Sequence, residues 1–232
     1  MKFSVTKLIT KKIIYDVQFE KLYREHVVHV KGWLSKEESY SLFKIAQQLT
    51  EGIDAIEIGS YEGKSTLSIA EGLKFSKLHA IDPHTGDITE RREGLSVSTL
   101  SQLMTNLKMS ENLPKVNVIV KTSEVAIAEL RHISCGLIFI DGWHTKEAVM
   151  MDIMNYSKLW SNQCVVIIDD FFEQEVNLGV KECLKVLPKY NGTVGKMAIF
   201  GLNDNNNTVK DLILNDKKRK VIQRIRKRFN PK

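Results

Sequence analysis

Short apolar runs rich in isoleucine and valine alternate with amphipathic segments from residue 54 onward, and no other feature constrains the fold as strongly. No run exceeds six residues, and several are apolar at consecutive positions, as strands covered on both faces require. Strands that alternate with helices predict a doubly wound, mainly parallel α/β sheet. The runs are AIEIG (55–59), LHAID (78–82), VNVIV (116–120), GLIFID (136–141) and VVIIDD (165–170).

Apolar residues at helical spacing lie between the runs and predict the helices. Ser35 followed by Glu38 is a capping-box pattern, which predicts the start of a helix that leads into the first strand. The segment VGKMAIFGL (194–202) predicts an antiparallel edge strand near the end of the chain. In such sheets ligands bind beyond the carboxyl ends of the strands, so the residues there are the candidates for a site. The apolar stripes predict helices over 64–73, 100–107, 148–156 and about 177–187.

Composition narrows the class of protein and its compartment. The 232 residues are 43% hydrophobic and 27% charged, which argues against disorder and allows a full core. No apolar run is long enough to cross a bilayer, and charged residues interrupt the first segment before a signal-peptide length is reached. Cys135, Cys164 and Cys183 are widely spaced, which predicts buried thiols rather than disulfides or a zinc site. We therefore expect a soluble cytoplasmic protein.

The positive charge is concentrated at the C-terminus. Residues 216–232 carry a net charge of +8 against +6 for the whole chain, so the rest of the chain is close to neutral. A nucleic-acid partner is therefore not predicted, since its basic surface would belong to the fold itself. Within 217–232, a basic amphipathic pattern leaves three alternatives: a disordered tail, peripheral contact with an anionic membrane at its inner face, or RNA binding. The apolar positions of that pattern are Val221, Ile222, Ile225 and Phe229.

A glycine-containing turn, EIGSYEGKST (57–66), follows the first strand and precedes a helix. Gly59 and Gly63 let the chain turn sharply beneath a ligand, and the free N–H groups of the helix start can bind it. A Walker A loop would need a glycine where Ile58 stands, and the dinucleotide pattern G-x-G-x-x-G is absent. The remaining alternative is the E/D-x-G-x-x-x-G turn of S-adenosylmethionine sites.

Acidic residues around this turn favour a cationic nucleoside over a triphosphate. Glu57 and Glu62 flank the turn, and Asp82 ends the second strand. A carboxylate about twenty residues beyond the glycine turn can accept hydrogen bonds from both ribose hydroxyls. Carboxylates repel a triphosphate and attract a sulfonium and an ammonium group. The turn therefore favours a cationic nucleoside, S-adenosylmethionine, as the cofactor; the alternative is an ordinary strand-to-helix turn that contains two glycines.

The fourth and fifth strands end in carboxylates that should lie close together. Asp141 ends the fourth strand, and Asp169 with Asp170 ends the fifth, which is its neighbour in a doubly wound sheet. Crowded carboxylates need a counter-charge, and an all-oxygen ligand set favours Mg²⁺ before Mn²⁺ or Ca²⁺. His144, three residues beyond Asp141, is a candidate general base. The alternatives are a helix cap or a Walker B end for the aspartates, and a supporting role for the histidine.

Three further residues have weaker interpretations. Ser123 follows the third strand, where it either reaches an adenine edge or caps the next helix. His84 and Asp87 follow the predicted cofactor aspartate and either line an acceptor pocket or belong to a solvated loop, and the pattern favours the loop.

These segments together resemble the class I S-adenosylmethionine-dependent methyltransferases, in particular the branch with small bacterial sugar O-methyltransferases and cephalosporin-hydroxylase-like proteins. The likeness covers about residues 33–202 and implies a seven-stranded, Rossmann-like sheet with an antiparallel C-terminal edge. It divides the chain into an N-terminal extension (1–33), a methyltransferase domain (34–208) and a basic amphipathic C-terminal tail (209–232). The motifs are EIGSYEGKSTLSIA, LHAIDPHTGD, KTSEVAIAEL, IFIDGWHTKEAVMMD and VVIIDDFF.

The resemblance also implies roles for single residues. In the metal-dependent macrolide-sugar methyltransferases, an aspartate after the fourth strand and a carboxylate pair after the fifth bind Mg²⁺, and a histidine is the base. Asp141, Asp169, Asp170 and His144 stand at these positions here. Two departures are Asp169 in place of the usual glutamate and Lys146 in place of a common tyrosine. The implied cofactor contacts are Glu57, Gly59, Ser60, Gly63 and Asp82, and we add Ser65, Ser123 and Asp141 as further candidate contacts.

We therefore expect an S-adenosylmethionine-dependent, Mg²⁺-dependent O-methyltransferase that acts on a hydroxyl of a sugar, a glycan or another small molecule. A P-loop-like nucleotide-binding protein and a catalytically silent binding module are the alternatives. A base-methylating enzyme is disfavoured, because the fourth strand ends in Asp-Gly-Trp-His without the N/D-P-P-aromatic motif. A homo-oligomer is compatible with the sequence.

Overall fold

The computed structural model describes residues 13–85 and 99–229, except for the side chains of 222–229. Within them, seven strands form one sheet in the order β3-β2-β1-β4-β5-β7-β6. β1 to β5 are parallel, whereas β7 runs antiparallel to both β5 and β6. The predicted doubly wound, mainly parallel sheet with an antiparallel C-terminal edge is confirmed. The strands are β1 (Asp54–Ile58), β2 (Leu78–Ile81), β3 (Val116–Ile119), β4 (Cys135–Ile140), β5 (Trp160–Ile168), β6 (Tyr190–Val194) and β7 (Met197–Phe200).

Helices join the strands and cover both faces of the sheet. The predicted capping box is confirmed, because the Ser35 side chain accepts from the Glu38 N–H and the Glu38 carboxylate accepts from the Ser35 N–H. The last predicted helix starts and ends earlier than 177–187, because it is capped at Cys183 and the chain continues as turns in which Cys183 and Leu187 are still buried. The helices are α1 (Val17–Glu25), α2 (Lys36–Ala46), α3 (Lys64–Gly72), α4 (Thr99–Met109), α5 (Ser123–Ala126), α6 (Lys146–Tyr156), α7 (Gln174–Glu182) and α8 (Asn207–Phe229).

Two apolar layers enclose the sheet, which explains why its strands are apolar at consecutive positions. Phe139 of β4 faces the layer that contains Phe43 of α2, while its neighbour Ile140 faces the layer that contains Ile153 of α6. Successive side chains of a strand point to opposite faces, so both must be apolar when both faces are covered. All three cysteines are buried and unpaired, as predicted.

The antiparallel edge is a hairpin rather than a single strand. The predicted strand within 194–202 is β7, which lies inside the sheet between β5 and β6. β6 is the outer strand, and its sequence YNGTV lacks the apolar run by which the other strands were recognised. An edge strand is covered on fewer sides, so it needs fewer apolar residues and gives a weaker sequence signal.

The segments at both ends of the described chain pack on the domain predicted over 34–208. Tyr15 contacts Tyr40 of α2 edge-on and Phe19 contacts it in a tilted arrangement, each at a ring-centroid distance of 4.8 Å. At the other end, Val209 and Leu212 of α8 are buried in the core. The predicted boundary at residue 208 therefore divides one continuous helix, and the tail begins as part of the domain.

The C-terminal half of α8 contains most of the predicted basic pattern. Val221 is its last residue with a described side chain, and the other apolar positions of the pattern lie outside the described side chains. Among the described helices, none combines the length and the apolar character that crossing a bilayer requires. Contact of 217–232 with an anionic membrane stays a prediction.

Candidate active site

Hydrogen bonds between parallel strands align the strand ends at one edge of the sheet. The Asp141 N–H donates to the Ile58 carbonyl at 2.8 Å, and the Asp169 N–H donates to the Ile140 carbonyl at 2.9 Å. Asp82 follows β2, the neighbour of β1 on its other side. From β1 the chain builds β2 and β3 on one side and then crosses back to build β4 and β5 on the other. The carboxyl ends of β1 and β4 therefore form the topological switch point.

A cavity of about 660 Å³ lies at this edge, a volume that suits a cofactor together with a small acceptor. It collects most of the residues that the sequence singled out, although they come from five strand ends. Glu57 and Gly63 are the predicted site residues that do not line it. The predicted residues in its wall are Gly59, Ser60, Ser65, Asp82, Ser123, Asp141, His144, Asp169 and Asp170.

The glycine turn after β1 is shaped by its contact with the end of β4. Gly59 has φ +90°, and a Cβ there would collide with the carbonyl oxygen of Asp141. Gly63 has φ +97°, caps α3, and faces Leu103 of α4 rather than the cavity. The two glycines therefore serve different purposes: Gly59 lets two strand ends approach each other, and Gly63 lets α3 begin against α4.

Glu57 lies beneath the turn instead of in the cavity wall. Its side chain is fully buried, and one oxygen accepts a hydrogen bond of 2.6 Å from the Thr66 hydroxyl of α3. Burial raises the pKa of Glu57 to about 8. Its other oxygen has no hydrogen-bond partner among the described residues. The position of Glu57 is therefore that of a support for the turn and the start of α3.

Asp82 is held rigidly at the cavity wall. Its Oδ2 accepts from the Tyr61 N–H at 2.8 Å, and its Oδ1 accepts from the His84 N–H at 2.6 Å. Each carboxylate oxygen has a further lone pair, so the group can still accept from two hydroxyls of a ribose. The backbone thus fixes the carboxylate in the position predicted for the cofactor aspartate.

The interpretation of His84 as part of a solvated loop is wrong. The residue is 5% exposed, and its Nδ1 lies 2.8 Å from the Thr99 hydroxyl at the start of α4. Burial lowers the pKa of His84, which keeps the ring neutral. Packing against α4 explains the difference, since the partner of His84 is the first residue of another element, fifteen residues further along the chain. Asp87 lies outside the described residues.

Ser123 lines the cavity and contacts a buried acid that the sequence analysis missed. The N-cap of α5 is Thr122, so the capping alternative for Ser123 does not hold. Its side chain hydrogen-bonds with Asp152 of α6, which also lines the cavity and is 4% exposed. Burial raises the pKa of Asp152 to about 6. The available signal was an acid within the apolar stripe of that helix.

His144 lies among three carboxylates at the opposite end of the cavity. Its Nε2 is 3.6 Å from an oxygen of Asp141 and 3.5 Å from one of Asp170. Its Nδ1 is 3.1 Å from Glu173, which no sequence motif indicated. Asp141, followed by Asp170 and Glu173, raises the pKa of His144 to about 9. The ring is therefore protonated at neutral pH in this arrangement.

Lys196 is the third residue at the site, after Asp152 and Glu173, that the sequence did not indicate. It stands between β6 and β7, and its Nζ lies 2.7 Å from Asp169 and 3.0 Å from Asp170. Burial alone would lower the pKa of Lys196, but the Asp169 carboxylate outweighs it and raises that pKa. An ammonium group therefore neutralises part of the charge of the fifth-strand pair.

The acidic residues at this end fit a divalent cation. Ligand atoms of Asp141, His144 and Asp170 lie within 4.8 Å of one another. Oδ1 of Asp169 is buried and has no hydrogen-bond partner among the described residues, as expected of a position that a bound group completes. Asp170 has φ +45°, a strained backbone of the kind found at functional sites. Carboxylate oxygens suit Mg²⁺ or Mn²⁺.

Two lysines in the motifs have partners other than the ligand groups that their positions in the sequence suggested. Lys64, in the GKST sequence, donates to the carbonyls of Val30 at 3.0 Å and Gly32 at 3.1 Å. It thereby connects the segment before α2 to the start of α3, directly after the glycine turn. The lysine of a P-loop would instead contact a phosphate. Lys146, which replaces the common tyrosine, pairs with Glu182 of α7 at 3.1 Å and does not line the cavity.

This strand order, with a cavity at the β1/β4 switch point, defines the class I S-adenosylmethionine-dependent methyltransferase fold. Residues 56–171, half of the chain, match the family model described as "Methyltransferase domain". The chain belongs to this family. The predicted methyltransferase class is confirmed, and the nucleotide-binding alternative is not favoured.

Solved structures share the fold at low sequence identity. The O-methyltransferase TomG from Streptomyces achromogenes, solved with S-adenosylmethionine, is 16% identical over 85% of this chain and 94% of its own, with a TM-score of 0.56. An O-methyltransferase from Bacillus cereus, solved with S-adenosylhomocysteine, is 15% identical over 84% and 94%, with a TM-score of 0.55. The O-methyltransferase NovP is 14% identical over 72% and 80%, with a TM-score of 0.58. A comparison with curated proteins finds no match.

Proposed function

We propose that the protein is an S-adenosylmethionine-dependent O-methyltransferase that requires a divalent cation and methylates a hydroxyl of a sugar, a glycan or another small molecule. The observation that carries the proposal is one cavity with Asp82 at one end and Asp141, His144 and Asp170 at the other. The three structures compared above are named as O-methyltransferases, which favours oxygen over nitrogen as the acceptor atom.

The cofactor end binds the donor through groups that the fold already holds in place. S-adenosylmethionine supplies a methyl group on a positively charged sulfur. Asp82 accepts from the ribose hydroxyls, and the Ser60 hydroxyl, which is buried and lacks a partner among the described residues, offers a further hydrogen bond. The carboxylates along the cavity favour the positive charge of the donor over the neutral product.

The acceptor end provides the base. When bound, a divalent cation lowers the pKa of an acceptor hydroxyl. His144 then takes the hydroxyl proton at Nε2, the nitrogen that faces Asp141 and Asp170. A base must start unprotonated, and a cation held by Asp141 and Asp170 would offset two of the carboxylates that raise the pKa of His144. Asp141 and Asp170, with the free oxygen of Asp169, are the carboxylates that would hold the cation.

Aromatic side chains at the cavity support a ring-shaped acceptor. Trp33 is 71% exposed and Trp143 is 47% exposed, and both belong to the cavity wall. Exposed apolar surface of this kind commonly marks a ligand-binding face. A sugar ring offers an apolar face for such stacking and neighbouring hydroxyls for the charged end, which is why we place sugars first among the acceptors.

The test combines binding with turnover. Calorimetry with S-adenosylhomocysteine and with ATP should show binding of the first alone, because the turn is acidic and the Lys64 ammonium group is engaged by the carbonyls of Val30 and Gly32. Methyl transfer to a panel of sugars, glycans and phenols should then stop in EDTA and return with Mg²⁺. Full activity in EDTA would remove the cation from the proposal, and ATP binding without S-adenosylhomocysteine binding would remove the methyltransferase activity itself.

A further inference from the structure

Lys196 brings a positive charge of the chain itself to the carboxylates proposed as cation ligands. Its Nζ lies 2.7 Å from Oδ2 of Asp169, and 3.0 and 3.1 Å from the two oxygens of Asp170. One ammonium group thus occupies both Asp170 oxygens and one of Asp169. A divalent cation needs oxygens of the same carboxylates as direct ligands, and it is repelled by a positive charge at that distance.

Two hydrogen bonds hold the backbone of Lys196 in place. Its N–H donates to Oε1 of Glu38 at 2.8 Å, and its carbonyl accepts from the Phe171 N–H at 3.0 Å. Glu38 is 3% exposed, and its other oxygen accepts from the Ser35 N–H in the capping box of α2. Gly195 has φ +58°, and a Cβ there would collide with the Glu38 carboxylate. The lysine therefore reaches the carboxylates from a hairpin tip that α2 holds in position.

We propose that Lys196 is a positioning residue that sets the affinity of the site for its divalent cation by competing with the cation for Asp170. The inference rests on the cation site of the proposed function. Without the cation, the ammonium group holds Asp169 and Asp170 and partly neutralises them. With the cation bound, Lys196 gives up Asp170 and keeps its closer partner Asp169. Cation affinity is thus tuned by a residue that is not itself a ligand.

The test measures cation binding directly, with no methyl donor or acceptor present. MnCl₂ is titrated calorimetrically into the full-length wild type and into K196M, which removes the charge but keeps an apolar stem of similar length. We expect K196M to bind Mn²⁺ about tenfold more tightly, because a positive charge within a few ångström of the site is gone. K196Q should show a gain in the same direction, and it replaces K196M if circular dichroism shows that K196M is unfolded.

Two controls separate position from net charge. K196R keeps the positive charge and should bind Mn²⁺ as weakly as the wild type. K189M removes one positive charge from an exposed position just before β6, and it should also match the wild type. An equal gain in K189M would overturn the proposal, since the effect would then follow net charge alone.

The outcomes also distinguish this inference from the proposed function. If K196M and K196Q bind Mn²⁺ no more tightly than the wild type, Lys196 does not compete and the inference is overturned, while the cation site stands. If the wild type and all the variants fail to bind Mn²⁺ but still bind S-adenosylhomocysteine, both this inference and the cation site of the proposed function are overturned.

Discussion

The two ends of the cavity satisfy their charged groups in different ways. At the cofactor end, the Asp82 carboxylate accepts from two backbone N–H groups, and Glu57 is buried beneath the turn with a hydroxyl partner. At the acceptor end, three carboxylates, His144 and Lys196 are held by one another at 2.7 to 3.6 Å. Backbone donors cannot leave, whereas side-chain ion pairs exchange partners. The cofactor end is therefore ready for its ligand, and the acceptor end is built to rearrange.

The largest expected effect is a loss of turnover, and it tests whether the two ends of the cavity act independently. His144→Ala should lower kcat about a thousandfold, the scale of a lost general base, and leave the affinity for S-adenosylhomocysteine within about twofold. Steady-state kinetics and calorimetry on the same preparation measure both quantities. His132→Ala, at an exposed position outside the cavity, is the matched control and should change neither. A loss of cofactor affinity as large as the loss of kcat would show that the two ends are not independent.

The next largest effect is expected at Gly59, where the turn after β1 meets the end of β4 and the two ends of the cavity join. Gly59→Ala should lower the free energy of unfolding by about 3 kcal/mol, because the new Cβ meets the Asp141 carbonyl and the backbone has positive φ. Gly52→Ala has the same kind of backbone, φ +78°, with open space around it, so about 1 kcal/mol is expected. Urea unfolding measures the free energy of unfolding of both variants. Equal losses would show that the positive φ, and not the collision with Asp141, causes the effect.

The rigid carboxylate at the cofactor end should act on binding rather than on turnover. Asp82→Asn should weaken S-adenosylhomocysteine binding about tenfold, since one acceptor of the ribose hydroxyls becomes a donor. Glu62→Gln, in the same turn but outside the cavity wall, is the control. If Glu62→Gln weakens binding equally, the acidic turn acts through its general field, and Asp82 makes no specific contact.

The smallest effect sharpens the distinction between Asp82 and the buried Glu57. Burial raises the pKa of Glu57 from 4.5 to about 8, so the unfolded chain releases a proton in that range that the folded protein retains. The wild type should therefore lose stability as the pH rises through this window, by about 1 kcal/mol between pH 6 and 7. Glu57→Gln cannot ionise and should lack this decline. Urea unfolding at pH 6, 7 and 8 measures it, and parallel curves for the two proteins would contradict the assignment.

Sequence periodicity determined the fold and the location of the site. Consecutive apolar residues in short runs can be buried only in a sheet covered on both faces, and the order of such runs sets the doubly wound connection. Residues directly after parallel strands must meet at one edge, because backbone hydrogen bonds keep neighbouring strands in register. Asp82, Asp141, Asp169 and Asp170 could be found for that reason without any knowledge of side-chain contacts.

Tertiary structure alone decided which of these groups face one another and what neutralises them. Glu57 and Asp82 both stand near strand ends, but Glu57 belongs to the strand itself, and the alternation of side chains turns it into the interior. Lys196, Glu173 and Asp152 come from a hairpin tip, a helix start and a helix face that no local pattern connects to the strand ends. Such contacts depend on how distant segments pack in three dimensions, and a sequence period records only which face of its own element a residue occupies.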